Sequence, residues 1–245
     1  MTEYFTNLMM LLMIIYVLLR CVAGNAVHLF FLDTCALLCG SGAPLQNRTD
    51  FHCDQMDPSV VASNRAQQLA WLERELARSD GGKDGAPLAP QCGTNGEDAP
   101  ATPARHWRVV VGHAPLLSAG KSHGTNPEMV AALMPLFERM KVHAYFNGHD
   151  HSLQHLHLAK NASPQTVASG VAQAAQTAQT HFFVSGAGGG AFIQETWEKH
   201  PHLVHNEQAL GFMAVEIGGG EKKDEMRVSF HSTRAKELYA VAIAN

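Results

Sequence analysis

The sequence has no excess of positive charge and no closely spaced pair of cysteines. Its 18 lysines and arginines are outnumbered by 22 aspartates and glutamates, so its composition would not neutralise a phosphate backbone, and we expect no nucleic-acid partner. None of the five cysteines belongs to a C-x-x-C pair, which argues against a ribbon-type structural zinc site. With 245 residues, 46% of them hydrophobic, the chain has the size and composition of one ordered domain.

The N-terminus carries an uncharged apolar run over residues 8–19. This run is nearer in length to the hydrophobic region of a signal peptide than to a spanning helix of about 20 residues, and residues 21–23 are small enough for signal peptidase. We therefore predict a signal or membrane-anchor segment over residues 1–24. If it is not cleaved, residues 4–23 would associate the chain with a membrane.

Two further features bear on the compartment. Asn47 and Asn161 each begin a glycosylation sequon, which favours the secretory pathway, with the protein lumenal or membrane-associated. Setting aside Cys21 in the apolar run, four cysteines remain, which permits up to two disulfides in an oxidising compartment, while unpaired thiols are an equal alternative. The four are Cys35, Cys39, Cys53 and Cys92.

Short apolar or alternating runs predict most of the strands. These runs lie at residues 27–32, 108–111, 142–146, 153–158, 181–184, 212–217 and 226–232. Two stretches without such a pattern, residues 79–106 and 161–180, are rich in glycine and proline or in alanine, glutamine and threonine. We predict that both are insertions that carry no part of the core.

Two helices are predicted between the strands. Leucines recur at helical spacing over residues 65–78, with Ser63 or Asn64 as the N-cap. Asn126-Pro127 begins a second helix that runs to Met140, with a kink or break at Pro135. The order strand, helix, strand is typical of a layered α/β protein.

The chemistry is predicted to lie among the histidines, because twelve of the fifteen fall between His106 and His205. Two predicted strands end in a glycine followed by a histidine, in Gly-His113-Ala-Pro and in Gly-His149-Asp-His151. A glycine turns the backbone sharply and places the next side chain at the carboxyl edge of the sheet, where α/β proteins bind ligands. Three neutral imidazoles meeting there are suited to a hydrolytic metal centre, since they leave charge on the ion to acidify a bound water.

These two motifs resemble the last two motifs of the calcineurin-like metallophosphoesterases, and their surroundings resemble the tartrate-resistant type of purple acid phosphatase. Similar segments occur in the same order at residues 31–34, 68–76, 118–124, 144–154, 185–188 and 211–217. The resemblance covers about residues 27–240 and corresponds to the C-terminal part of the family's domain. It implies the C-terminal half of a layered α/β metallophosphoesterase sandwich, here preceded by the apolar N-terminal segment.

The resemblance also implies roles for single residues. In the family, the residues matching His113 and His149 bind the divalent metal, and the residue matching His151 binds the ferric ion. His123 matches a catalytic histidine that contacts substrate and assists the leaving group. The family's cofactor is a dinuclear centre of iron with iron, zinc or manganese, and its substrates are phosphomonoesters. We interpret His155 and His157, which alternate outward from the second motif, as residues of a strand surface.

The family's earlier motifs have no match in this sequence. Nothing before Leu32 matches D-x-H, G-D-x-x-Y or G-N-H-[DE], which supply the remaining metal ligands and the bridging carboxylate. Three histidines divided between two ions do not hold a pair of metals, because each ion needs four or more ligands. We also expect the strands that would pair with the missing part to be exposed as sheet edges.

Two functions follow as hypotheses. The first is a metal-dependent phosphomonoester hydrolase of the acid-phosphatase type, inactive or truncated because part of the ligand set is missing. The alternative is a non-catalytic, membrane-tethered remnant or pseudophosphatase that binds at most one metal ion. A separate chain that supplies the missing half is a third, weaker hypothesis. The sequence is compatible with both an active and an inactive enzyme of this type.

Overall fold

A computed structural model describes most of the domain. The described residues are 16–22, for which the backbone alone is described, and 25–41, 53, 56–79, 105–121, 123–158, 180–189, 199–218 and 225–245. Most of the predicted N-terminal segment, most of both predicted insertions, both sequons and Cys92 lie outside these residues.

Ten strands and three helices are formed by the described residues. The strands are β1 (Tyr16–Val22), β2 (Asn25–Phe31), β3 (His106–Val111), β4 (Ala144–Asn147), β5 (Leu153–His157), β6 (His181–Ser185), β7 (Leu203–Glu207), β8 (Gly211–Ile217), β9 (Glu225–Ser232) and β10 (Glu237–Ala244). The helices are α1 (Thr34–Cys39), α2 (Pro58–Arg78) and α3 (Pro127–Arg139).

The strands form two separate sheets. The large sheet has the order β1-β2-β3-β4-β6-β5-β7, and the small sheet has the order β10-β9-β8. Strands β2, β3, β4 and β6 pair in parallel, β1 is antiparallel to β2, and β5 is antiparallel to both β6 and β7. The parallel strands therefore bring their carboxyl ends to one edge of the large sheet.

The large sheet is covered on both faces. On β3, Val110 points into a core shared with Leu72 of α2 and Phe137 of α3. Its neighbour Val109 points into a second core that includes Phe230 of the small sheet. Helices thus cover one face and the small sheet covers the other, as expected because successive strand side chains alternate between faces. The predicted layered α/β architecture is confirmed.

Part of the apolar N-terminal segment belongs to the large sheet. Strand β1 pairs with β2 along its full length, from Tyr16 opposite Phe31 to Val22 opposite Asn25. The prediction that this edge of the parallel strands is exposed is therefore wrong, because β1 takes up the backbone hydrogen bonds on that side of β2. Among the described residues, no helix is long and apolar enough to cross a membrane.

Both predicted helices are present, but α2 begins one to two turns earlier than predicted. Its N-cap is Asp57 rather than Ser63 or Asn64, and Pro58 occupies the first helical position. The Asp57 carboxylate accepts from the Ser59 N–H at 2.8 Å, which satisfies a donor that the helix leaves unpaired. Helix α3 continues past Pro135 without a break, since it runs from Pro127 to Arg139 as one element.

A disulfide links α1 to the segment before α2. Cys39 and Cys53 are bonded, with their Cα atoms 5.2 Å apart. For this pair the structure decides between the two alternatives, disulfide or thiol, in favour of the disulfide.

Candidate functional site

The carboxyl ends of β3 and β4 bring two of the predicted site residues together. The strands pair in parallel up to Val111 and Phe146, so the residues that follow leave the sheet side by side. The Nδ1 of His149 lies 3.0 Å from the Nε2 of His113, and their ring centroids are 4.8 Å apart. The predicted meeting of these two imidazoles is found at the predicted edge.

The turn that carries His113 is held by residues from two other elements. The hydroxyl oxygen of Thr34 accepts from the N–H groups of His113 and Ala114, at 3.2 and 3.0 Å. The hydroxyl of Tyr145 donates to the carbonyl of Ala114 at 2.7 Å, and burial raises the pKa of this hydroxyl, so it keeps its proton. A Cβ at Gly112 would overlap both the Tyr145 hydroxyl and the Thr34 methyl group, so position 112 requires glycine.

His149 has a backbone conformation that side chains rarely adopt. Its φ is +67°, in the left-handed region, and the N–H of Asp150 reaches back to the carbonyl of Gly148 at 2.9 Å. Across the turn, a Cβ at Gly186 would overlap the carbonyl of Asp150. Such strained positions persist where the surrounding structure fixes them, and they are concentrated at functional sites.

His123 lies against the same pair. Its ring centroid is 4.0 Å from that of His149, although the two residues are on different loops. The structure therefore joins His113, His149 and His123 in one group at the edge of the sheet.

A buried polar network fixes the loop that carries His123 to the turn that carries His149. The Ser118 hydroxyl donates to the carboxylate of Asp150, which is completely buried. The carboxamide of Gln154 accepts from the N–H of Ala119 at 2.9 Å and donates to the Ser118 oxygen at 3.0 Å. At the far end of the loop, the Asn126 carboxamide donates to the carbonyl of Pro115. Sequence patterns missed the network of Ser118, Asp150 and Gln154, because its contacts join residues more than 30 positions apart.

The described residues fit one metal ion better than two. The facing nitrogens of His113 and His149 are close enough to share one cation at bond lengths of about 2.0–2.1 Å. The Nδ1 of His151 is buried without a hydrogen-bond partner among the described residues, as is suitable for a nitrogen that ligates. Within the described part of the chain, however, no group of three or more His, Cys, Asp and Glu side chains is arranged to hold a metal. These residues therefore do not fit a dinuclear centre.

The interpretation of His155 as a strand-surface residue is wrong. Only 1% of His155 is exposed, and its Nδ1 lies 2.7 Å from the hydroxyl of Tyr239 on the small sheet. The alternation of apolar and polar residues separates the two faces of β5 and places His155 on one of them. The small sheet covers that face, so His155 is buried rather than exposed. His157, two residues further along β5, is half-buried.

Comparisons with known proteins found relatives by sequence. No family model matches the chain. Tartrate-resistant acid phosphatase type 5 of Sus scrofa is 34% identical over 225 residues, which cover 87% of this chain and 49% of that protein. Purple acid phosphatase 4 of Arabidopsis thaliana is 31% identical over 134 residues, or 54% of this chain and 33% of that protein. This chain resembles the purple acid phosphatases.

The same resemblance is found in structure. Purple acid phosphatase PPD1 from yellow lupin (Lupinus luteus) seeds matches 94% of this chain and 33% of its own length, with a TM-score of 0.53 and 13% identity. GAP50, described as the anchor in the inner membrane complex of Plasmodium, matches 94% of this chain and 53% of its own length, with a TM-score of 0.56 and 15% identity. The fold is thus that of the purple acid phosphatases, although the chain spans only about half, or less, of the curated relatives it matches.

Proposed function

We propose that this chain carries the histidine-bearing half of an acid-phosphatase-type site for metal-dependent hydrolysis of phosphomonoesters. The observation that carries the proposal is the 3.0 Å approach of His113 and His149 at two adjacent strand ends, with His123 against them. These are three of the four residues whose roles the resemblance to the purple acid phosphatases implies. The fourth, His151, contributes a buried nitrogen without a hydrogen-bond partner among the described residues.

Each residue has a distinct task in the proposed site. The neutral nitrogens of His113 and His149 would hold one divalent cation, and His151 is the candidate for a further ligand. When bound, such an ion supplies positive charge that polarises phosphate oxygens and acidifies water. His123 would hold a proton on its imidazole and donate it to a phosphate oxygen or to the departing alkoxide.

We further propose that the 245 residues on their own hydrolyse phosphomonoesters only at a background rate. The motifs D-x-H, G-D-x-x-Y and G-N-H do not occur before Leu32, and the described residues do not fit a second ion. Without the bridging carboxylate that these motifs supply in the family, the 245 residues on their own would lack a shared ligand for a pair of ions. On their own, these residues would act as a pseudophosphatase that binds at most one metal ion, unless another chain supplies the missing ligands.

A lumenal, secreted location is proposed rather than a membrane tether. The disulfide between Cys39 and Cys53 is of a kind that forms and persists in oxidising compartments. Residues 16–22 pair with β2 as part of the sheet, which competes with any use of residues 4–23 as an anchor.

The test is a zinc titration of the purified chain at pH 7.5, together with hydrolysis of an aryl phosphate at mildly acidic pH. We expect about one zinc ion per chain, a tenfold or greater loss of affinity in His113→Ala and in His149→Ala, and background hydrolysis throughout. His231→Ala, on the small sheet, is the matched control and should bind zinc as the wild type does.

The other outcomes are equally informative. Two ions per chain, with turnover that is lost in His149→Ala, would show that the chain is an active phosphatase and overturn the second part of the proposal. No zinc binding in the correctly folded wild type would overturn the first part, and would leave the histidines as structural residues.

A further inference from the structure

A second group of imidazoles lies between the two sheets, away from the proposed metal site. Along β5, β6 and β7, His155 is paired with Phe183 on one side and with His205 on the other, while His157 is opposite His181. These side chains point towards the small sheet, into the core that contains Phe183 and Phe230. The proposed function uses none of these histidines.

Hydrogen bonds join this group into a chain that crosses from one sheet to the other. The Nε2 of His155 lies 2.9 Å from the Nδ1 of His181, and the Nδ1 of His155 lies 2.7 Å from the hydroxyl of Tyr239 on β10. His205 of β7 stacks on Tyr239 with centroids 4.2 Å apart and an interplanar angle of 8°. The two sheets are separate ladders, so side-chain contacts such as these attach one to the other.

We infer that this imidazole chain, from His181 through His155 to Tyr239, is an acid-sensitive fastening that holds the small sheet on the large sheet when the histidines are neutral. A proton added to His155 places a positive charge in an apolar interface, stacked at 4.5 Å on Phe183. The interface can relieve that charge by letting water in, which loosens β8, β9 and β10 from β5, β6 and β7.

The surroundings of the chain favour the neutral form. Burial lowers the pKa of His155, and neighbouring His157 and His205 lower it further; burial likewise lowers the pKa of His181. Glu207 raises the pKa of His205, although burial has the larger, opposite effect there. Among the other described titratable groups near this chain, His143 lowers the pKa of His181, burial and then His157 lower the pKa of His202 before β7, and burial raises the pKa of Tyr239.

The sign of the effect follows from these directions. When the small sheet is packed on the large sheet, the histidines bind protons more weakly than when the sheets have separated. In the separated state an imidazole has its ordinary pKa of about 6.5. The fastening is therefore at full strength above about pH 6.5 and weakens as the pH falls below that value.

The test is hydrogen exchange of the purified full chain, followed by mass spectrometry at pH 7.5, 6.0 and 4.5 and corrected for the intrinsic pH dependence of exchange. We expect protection of residues 225–244 to fall about tenfold between pH 7.5 and 4.5, while protection of β3 and β4 falls much less. Two variants remove the titration in different ways. His155→Gln keeps the hydrogen-bonding groups, and the double variant His155→Phe, Tyr239→Phe keeps the packing.

In both variants, the protection of residues 225–244 should fall threefold or less between pH 7.5 and 4.5. The control variant His231→Gln on β9 should show the same fall in protection as the wild type. An equal fall in the variants and the wild type would overturn the inference, as would an equal loss of protection in both sheets. If neither variant folds at pH 7.5, the wild type alone provides the test. A larger acid-induced loss of protection in residues 225–244 than in β3 would then support the inference, and an equal loss would overturn it.

Discussion

The Nδ1 of His149 and the Nε2 of His113 are 3.0 Å apart, although 36 positions separate the two residues in the sequence. Their contact depends on the parallel register of β3 with β4 and on two tight turns that begin at glycines. The two glycines differ in the space available for a side chain, since a Cβ at Gly112 would overlap neighbouring atoms and a Cβ at Gly148 would not.

Gly112→Ala is expected to destabilise the fold by about 2 kcal/mol and to displace His113, because the new Cβ would overlap the Tyr145 hydroxyl and the Thr34 methyl group. Gly148→Ala is the matched control, since its nearest neighbouring atoms are 3.9 Å away. Urea denaturation would measure both free energies of unfolding. Equal stability of the two variants would contradict the packing described for the first turn.

Gln68→Leu is expected to lower the free energy of unfolding by about 3 kcal/mol. The Gln68 carboxamide is buried and accepts from the N–H of Asp33 at 2.7 Å while donating to its carbonyl at 2.9 Å, so leucine would leave two buried backbone groups unpaired. Gln67→Leu, one position away on the exposed side of α2, should change stability by less than about 0.5 kcal/mol. The same denaturation experiment distinguishes them, and a small effect at position 68 would refute the assigned role.

Reduction of the disulfide between Cys39 and Cys53 should cost about 3 kcal/mol, because the bond closes a loop with a sequence separation of 14. The double variant Cys39→Ser, Cys53→Ser should melt at a lower temperature than the wild type and should no longer respond to a reductant. Cys35→Ser, which leaves this bond intact, is the control. A reductant that leaves the melting temperature of the wild type unchanged would count against the bond.

Global stability is expected to fall in acid because of two buried histidines outside the imidazole chain. Burial lowers the pKa of His28 and of His143 to about 4 each. Both would bind a proton near pH 6.5 once unfolded, so each stabilises the fold fully above that pH and loses its contribution as the pH falls towards 4. Between pH 7.5 and 4.5 each should remove roughly 2 kcal/mol.

Guanidinium denaturation at the two pH values checks this expectation, with His143→Gln as the variant. The decrease in free energy between pH 7.5 and 4.5 should be about 2 kcal/mol smaller in His143→Gln than in the wild type. An identical decrease in both proteins would mean that His143 does not titrate differently in the folded and unfolded states.

Much of the fold followed from local patterns, and the failures have identifiable causes. Apolar runs located β2 to β6, β8 and β9, because a buried strand needs little besides such a run. Strands β7 and β10 were missed, since their side chains are largely half-buried and show no clear alternation. The early start of α2 was missed although Asp57-Pro58 is a recognisable cap, because the leucine pattern that defined the helix begins later.

The candidate site was predictable to a similar extent. The glycine after each of two neighbouring strands was enough to predict that His113 and His149 meet. The network through Ser118, Asp150 and Gln154 was not predictable, because it depends on contacts more than 30 positions apart. His155 was misjudged for a related reason, since alternation identifies a face of a strand but not the sheet that covers it.

The pairing of β1 with β2 places two cellular processes in competition for one segment. Signal peptidase acting after Ala23 would remove Tyr16–Val22 and leave the outer backbone groups of Asn25–Phe31 without the partners they have in the sheet. Such an edge is a template on which another extended chain can add. Removal of the leader would therefore turn β2 from an inner strand of the large sheet into an edge strand.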